Sequence, residues 1–350
     1  MTQQSIATIT ELLELSGSSY RIFDMGRKVT KIAKSDFEKV EKAMMPYPYP
    51  IQGHACFAIV FWQNSPTKPY IWFVKLPLDE RGIINQGSRN HYLAIILEAL
   101  GSNLGQDPTE KQEELLKENP YNFTPVQYKL ASLNAVVKRD LKQPASEYYE
   151  HCQLYFAGNI GWQNWQGVGV QGLCDLAARI NVVENSQYLV NALPHLPEQV
   201  FAPLCSALEN QKLPFNIIEI LVQYIKEHLS KPEIDVNAIA NALRALSANA
   251  EHSMVCEVID DIINSQNLFD LNLMLTISGR CWTALTDQTR LVNFMNKFTA
   301  NVGQEIFAAV FQDLVALPTV RHPLLQAIRN PQRNEHFTRA IGELFAQVKG

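Results

Sequence analysis

The sequence lacks most of the anchors on which chemistry is usually built. It contains no CxxC pair, no HExxH, no GxSxG and no GxxxxGK[ST], which removes the common signatures of structural zinc, thiol redox, metalloprotease, hydrolase and P-loop chemistry. No run reaches the eighteen or so apolar residues of a membrane span. Charge is sparse: charged residues make up 19% and the net charge is -5, so there is no broad Lys and Arg excess to attract nucleic acid or anionic lipid. The opening residues Met1-Thr2-Gln3-Gln4-Ser5 have neither the basic region nor the apolar run of a secretory signal. The expectation is a soluble cytoplasmic protein with no membrane association.

What remains is folding material. Hydrophobic residues make up 47%, and 350 residues exceed what one core usually serves, so two domains are expected. The six cysteines fall mostly inside apolar helical patterns and read as reduced core residues.

Ile6, Ile9, Leu12, Leu13 and Leu15 recur at helical spacing, and Ser16-Gly17 stops that helix. Tyr20 to Phe23 and Val29 to Ile32 read as a hairpin around Asp24-Met25-Gly26-Arg27, with Gly26 expected to supply a positive φ. Ser35 and Glu38 have the spacing of a capping box opening a second helix, which the Pro46 to Pro50 run would end. Ala55 to Trp62 and Tyr70 to Val74 are apolar on both strand faces. They are predicted as central strands, covered on each side by helices around Ile6 to Leu15, Phe37 to Met44 and His91 to Leu100. The result is an α+β domain over residues 1–101, a small antiparallel sheet with helices. Residues 102–125 follow as a polar linker with a possible helix at Glu110 to Lys117.

Residues 126–350 carry no convincing strand and are expected to form an all-α, HEAT/armadillo-like array of helix pairs. Five amphipathic signals begin near Glu198, Asp235, Leu268, Gly303 and Asn334, at spacings of 37, 33, 35 and 31 residues. A helix pair of that length cannot bury its apolar face alone, so successive pairs stack. No letter-level consensus links one repeat to the next.

Candidate chemistry is thin. Gly167-Val168-Gly169-Val170-Gln171-Gly172 spells GxGxxG, but no strand precedes it, and the plainer reading is a turn whose glycines allow close helix packing. His252 with Cys256, and His54 with Cys56, have two-ligand spacings that nothing nearby completes, so no metal site and no cofactor are expected. Asp260-Asp261 reads as a solvated face. Trp162 and Trp165, three apart, form an aromatic pair that could anchor a partner, or pack where the two domains or the first repeats meet. Asp79, Arg81, Arg89 and His91, leaving the second long strand, are the one polar cluster set against an apolar sheet. They could bind a ligand or partner, or form the ion pairs and caps that fix the connection.

Lys75-Leu76-Pro77-Leu78-Asp79-Glu80-Arg81-Gly82 and Ser88-Arg89-Asn90-His91-Tyr92, together with Tyr20-Arg21-Ile22-Phe23-Asp24-Met25-Gly26-Arg27, resemble an uncharacterised gammaproteobacterial protein family. The resemblance implies a bacterial cytoplasmic protein of this two-part layout, and carries over no activity and no functional residue.

The expected function is a non-enzymatic interaction or scaffold role with another protein as partner, by analogy with helical arrays. No catalytic residue is expected. The alternative is a small-molecule binder or enzyme whose site lies between the N-terminal sheet and the helical domain, using Asp79, Arg81 or His91. RNA binding by the array is disfavoured by the acidic balance.

Overall fold

The computed structural model describes residues 6–63, 65, 67–101, 104 and 109–348. The chain divides into two compact units, Met1–Lys129 and Leu130–Gly350.

The first unit is built on strands β1 (Ser19–Asp24), β2 (Thr30–Ile32), β3 (His54–Trp62) and β4 (Tyr70–Pro77). They form one antiparallel sheet in the order β2-β1-β3-β4. Ala55 through Phe61 of β3 are all buried, and a strand with no polar alternation belongs at the centre. β4, also expected at the centre, is instead an edge of this sheet. Of its residues only Val74 and Leu76 are buried, because its far side has no neighbouring strand to cover it.

Helices α1 (Ile9–Leu15), α2 (Lys34–Glu41) and α3 (Gln86–Leu100) do not divide between the two sheet faces as predicted. Their apolar residues join one core, in which Ile9, Leu12, Phe37, Val40, Tyr92 and Ile96 pack with Ala55, Phe57, Ile59 and Phe61. Those four alternate along β3 and so share a face. Cys56, Ala58 and Val60 on the opposite face are buried too. Ala58 stands between Phe23 and Phe73 in the sheet, and Phe73 meets Phe123 edge-on at 6.1 Å.

The capping box at Ser35 and Glu38 does not form. α2 begins one residue earlier, at Lys34 behind Ala33, so Ser35 already lies in the first helical turn and cannot take the extended backbone of a cap. The helix also stops ahead of the prolines. Ala43 takes φ 58, and the Met44 and Ala43 N–H groups donate to Lys39 O at 2.9 Å and Val40 O at 3.2 Å, a Schellman ending made without glycine. Glu41, fully buried at that end, reaches α1: its carboxylate accepts from Ile9 N–H at 2.8 Å and from Thr10 N–H and Oγ1 at 3.1 and 2.8 Å. A buried carboxyl group thereby supplies the acceptor for the otherwise unpaired N–H groups of a helix start.

The β1–β2 hairpin turns on Asp24 rather than on a glycine dihedral. Gly26 does not adopt a positive φ; its constraint is space, since a Cβ there would lie 2.9 Å from Ile51 Cγ2. Asp24, fully buried, accepts from the N–H groups of Gly26, Arg27 and Lys28 at 3.2, 3.0 and 3.1 Å and from Tyr47 Oη at 2.7 Å. Lys129 Nζ donates to the Met25 and Gly26 carbonyls of the same loop. α4 (Glu110–Lys117) matches the helix foreseen there, and Asn122 beyond it bridges to Val74 of β4.

α5 (Gln127–Asp140) leads into the second unit, which is helical throughout its described length. One row comprises α7 (Val170–Ala178), α9 (Glu198–Leu208), α11 (Val236–Leu246), α13 (Leu271–Arg280), α15 (Gln304–Ala316) and α17 (Glu335–Val348). The other comprises α6 (Tyr148–Phe156), α8 (Val183–Ala192), α10 (Phe215–Leu229), α12 (Ser253–Asn264), α14 (Gln288–Asn301) and α16 (Pro318–Ala327). Within each row helices pack on the helix two before them, and the rows meet through pairs such as α10 with α11 and α15 with α16. The five starts read from the sequence are the starts of α9, α11, α13, α15 and α17, so the period describes one row.

Asp24→Ala should lower stability by about 3–5 kcal/mol in urea unfolding, since it removes the acceptor of three buried N–H groups, while the Tyr47 hydroxyl keeps only its bond to Cys56 O at 3.1 Å. Burial pushes the Asp24 carboxyl up to about 6, against the pull of its hydrogen bonds. Because that folded-state value lies above the 3.8 of the free carboxyl, folding favours the protonated form. Its stabilising contribution is then full below pH 3.8 and lost as pH rises through about 6. Carbon NMR of the Asp24 carboxyl should give a midpoint near 6, and one below 3.8 would contradict this.

Candidate functional site

The polar residues at the strand-to-helix connection make three separate contacts. Asp79 accepts from Arg81 and Ile83 N–H at 2.9 and 2.8 Å, and the Arg81 guanidinium returns to Asp79 Oδ2 at 3.1 Å. The Ile83 hydrogen bond is the leading reason the Asp79 carboxyl is held below its ordinary value. This is a turn stabilised by its own side chain. Arg89, 7% exposed, points inward and donates to the Glu41 carbonyl. His91 is exposed and pairs through Nδ1 with Tyr121 Oη at 3.1 Å, ring against ring at 5.7 Å. Three different contacts therefore occupy four residues.

Trp162 is half-buried in the second unit. It stacks on His195 with centroids 5.1 Å apart and meets Tyr155 edge-on at 5.7 Å, while Tyr155 Oη donates to its carbonyl. Trp165 is half-buried in the same short 3-10 turn, Trp162–Gly167. Of the GxGxxG glycines, Gly172 serves packing: a Cβ there would lie 2.8 Å from Tyr148 O and 3.1 Å from Cys152 Cβ, which is how α7 approaches α6, whereas a Cβ on Gly169 would meet nothing within 4 Å. His252 caps α12 with its backbone, and Cys256 Sγ donates to Ala250 O at 3.3 Å. Asp260 is held bidentate by Arg290 at 2.7 Å to each oxygen. Among the described residues no three His, Cys, Asp or Glu side chains gather as a metal site.

A more promising surface lies on α11 and α13. An open groove of about 260 Å³ is lined by Asn241, Arg244, Asn272, Leu275, Thr276 and Arg280. Glu209, the fully buried C-cap of α9, accepts from Arg244 Nε and Nη2 at 2.6 and 3.0 Å, with Arg280 Nη1 at 3.7 Å. Both arginines are fixed by that carboxylate while keeping part of their surface in solvent. Leu275, 40% exposed, stands among amides, a hydroxyl and guanidinium groups. An apolar centre in a polar rim is how protein contact surfaces are commonly composed.

The charged residues here obey the same period as the helices. Asp175, Glu209, Arg244 and Arg280 are spaced 34, 35 and 36 residues apart and lie at the ends of α7, α9, α11 and α13. Asp175, fully buried, accepts from Ser146 Oγ at 2.6 Å and Arg179 Nη1 at 3.0 Å. Apolar periodicity alone passed over this series, although its spacing stands in the sequence.

A family model matches residues 4–345. The chain belongs to that family, described as a protein of unknown function (DUF3549). The match covers both units, so the sheet and the helical array belong to one family pattern. No curated protein and no solved structure matches the chain.

Glu209→Ala should destabilise the full-length protein by about 1.5–3 kcal/mol, because it removes the buried carboxylate that accepts both Arg244 hydrogen bonds. Leu275→Ala, on the groove surface, should change stability by less than about 1 kcal/mol. Comparable losses for the two in urea unfolding would show that the pair does not organise this part of the array.

Proposed function

We propose that this protein is a non-enzymatic, cytoplasmic interaction protein whose HEAT/armadillo-like helical array presents a surface to another protein. The observation that carries the proposal is the α11–α13 groove, in which pre-positioned guanidinium groups and amides surround an exposed Leu275. Stacked helices hold such a surface rigid, so little ordering is needed when a partner binds. The described cysteines are all free, in keeping with a reducing compartment. Burial raises the Cys56 thiol to about 11 and those of Cys152 and Cys205 further, which makes them poor nucleophiles and suits packing better than catalysis. No described helix is long and apolar enough to cross a membrane. The small-molecule reading gains little from Asp79, Arg81 and His91, whose contacts are separate.

Affinity capture with the full-length chain, followed by mass spectrometry, is the test. The wild type should retain a protein that Leu275→Asp loses while melting at the same temperature. Equal recovery by the two, or nothing above a control column, would sink the proposal. A thermal shift from a nucleotide or metabolite panel would favour the alternative instead.

A further inference from the structure

β4 leaves part of its outer backbone edge unpaired. Antiparallel pairing turns alternate residues of a strand toward opposite neighbours. In β4 the outward set is identified by two bonds: Lys75 N–H donates to Tyr121 O at 2.7 Å, and Phe73 O accepts from Phe123 N–H at 3.4 Å. The register with β3 runs unbroken from His54↔Pro77 to Phe61↔Tyr70, so Ile71 turns its N–H and C=O the same way. The covering segment cannot follow it there. Continuing the antiparallel step sets Ile71 opposite Pro125, which has no N–H to give, and by Gln127 the chain has become α5. Among the described residues the outward groups of Ile71 meet no hydrogen-bond partner.

An open groove of about 510 Å³ runs beside this edge, lined by Ile71, Trp72, Phe73, Asn119, Asn122 and Phe123 among others. Asn119 is 4% exposed. Its Oδ1 accepts from Tyr121 N–H at 3.0 Å, but its buried Nδ2 has no acceptor. A buried amide donor without a partner is a deficit that a carbonyl oxygen repairs.

We propose that the outer edge of β4 is a docking site for an extended segment of a partner polypeptide. The segment adds as a further strand against Ile71 and gives a carbonyl to Asn119 Nδ2. An N–H and a C=O recurring with the two-residue period of a strand is what a polypeptide backbone offers, and the Ile71, Phe73 and Phe123 side chains supply an apolar wall beside it. This site lies in the first unit and does not depend on the array groove.

The probe is a phage-displayed random peptide library selected on the full-length protein, with the best synthetic peptide followed by calorimetry and amide hydrogen exchange. Ile71→Pro deletes the outward N–H and no bond to β3, a position at which an edge strand tolerates proline. Asn119→Asp keeps the acceptor for Tyr121 and removes the donor. Bound peptide should slow exchange of the Ile71 amide, and each variant should weaken binding by about tenfold or more while still melting cooperatively above the assay temperature. If Ile71→Pro fails to fold, Asn119→Asp and the wild-type exchange data decide alone. Failure to select any peptide, wild-type affinity in the folded variants, or an Ile71 amide that still exchanges fast at saturation would overturn the proposal. So would a concentration-dependent dimer that Ile71→Pro abolishes, since that would assign the edge to a second copy of the chain.

Discussion

A carboxyl group taken out of water must be given donors, and among the described residues Asp24, Glu41, Asp175 and Glu209 are fully buried. Each is satisfied by groups that are remote in sequence or that belong to a chain reversal. Asp24 gathers the N–H groups of its own turn and the Tyr47 hydroxyl, Glu41 closes the first turn of α1, Asp175 holds Ser146 ahead of α6, and Glu209 ties α9 to α11 and α13. Removing one partner from such a group is far more damaging than a surface ion pair is helpful, so these residues fix geometry more than they add net stability.

That constraint shapes the two surfaces with functional interest. In the second unit the Glu209 carboxylate orients Arg244 and Arg280 beside a groove, so a charge buried for packing leaves guanidinium groups poised at the surface. In the first unit the decisive group is neutral. Asn119 gives its side-chain carbonyl to the Tyr121 N–H of the chain that covers β4 and leaves its amide unsatisfied beside the groove at that edge. Both sites follow from polar groups whose local duties are nearly, but not wholly, complete.

Much of the fold was legible because it is written in apolar spacing. The stripe Val236, Ile239, Ala240, Leu243 and Leu246 defines α11 without reference to any neighbour, and the run from Ala55 to Trp62 can only be a strand buried on both faces. The errors fell where two solutions share one local pattern. Ser35 and Glu38 have capping-box spacing, yet Ala33 begins the helix; Gly26 sits in a turn, yet it is needed for room beside Ile51; Tyr70 to Val74 is as apolar as a central strand, yet lies at an edge. The Arg244–Arg280 groove follows a charged series whose period apolar spacing does not report, while Asp79, Arg81 and His91 are close along the chain and make separate contacts in the fold.

The sequence by itself therefore determined the two-part layout of an α+β segment and a helical array, the positions at which one helical row begins, and the identity of the strand at the heart of the sheet. Each rests on periodicity within a segment, which needs no knowledge of the rest. Tertiary structure alone decided which face of the sheet the first three helices cover, which side of β4 stays open, and which donors meet the buried carboxylates. Those outcomes depend on groups far apart along the chain, such as Glu41 with Ile9 or Lys129 with Gly26, and no local spacing encodes which of many acceptors a donor will reach.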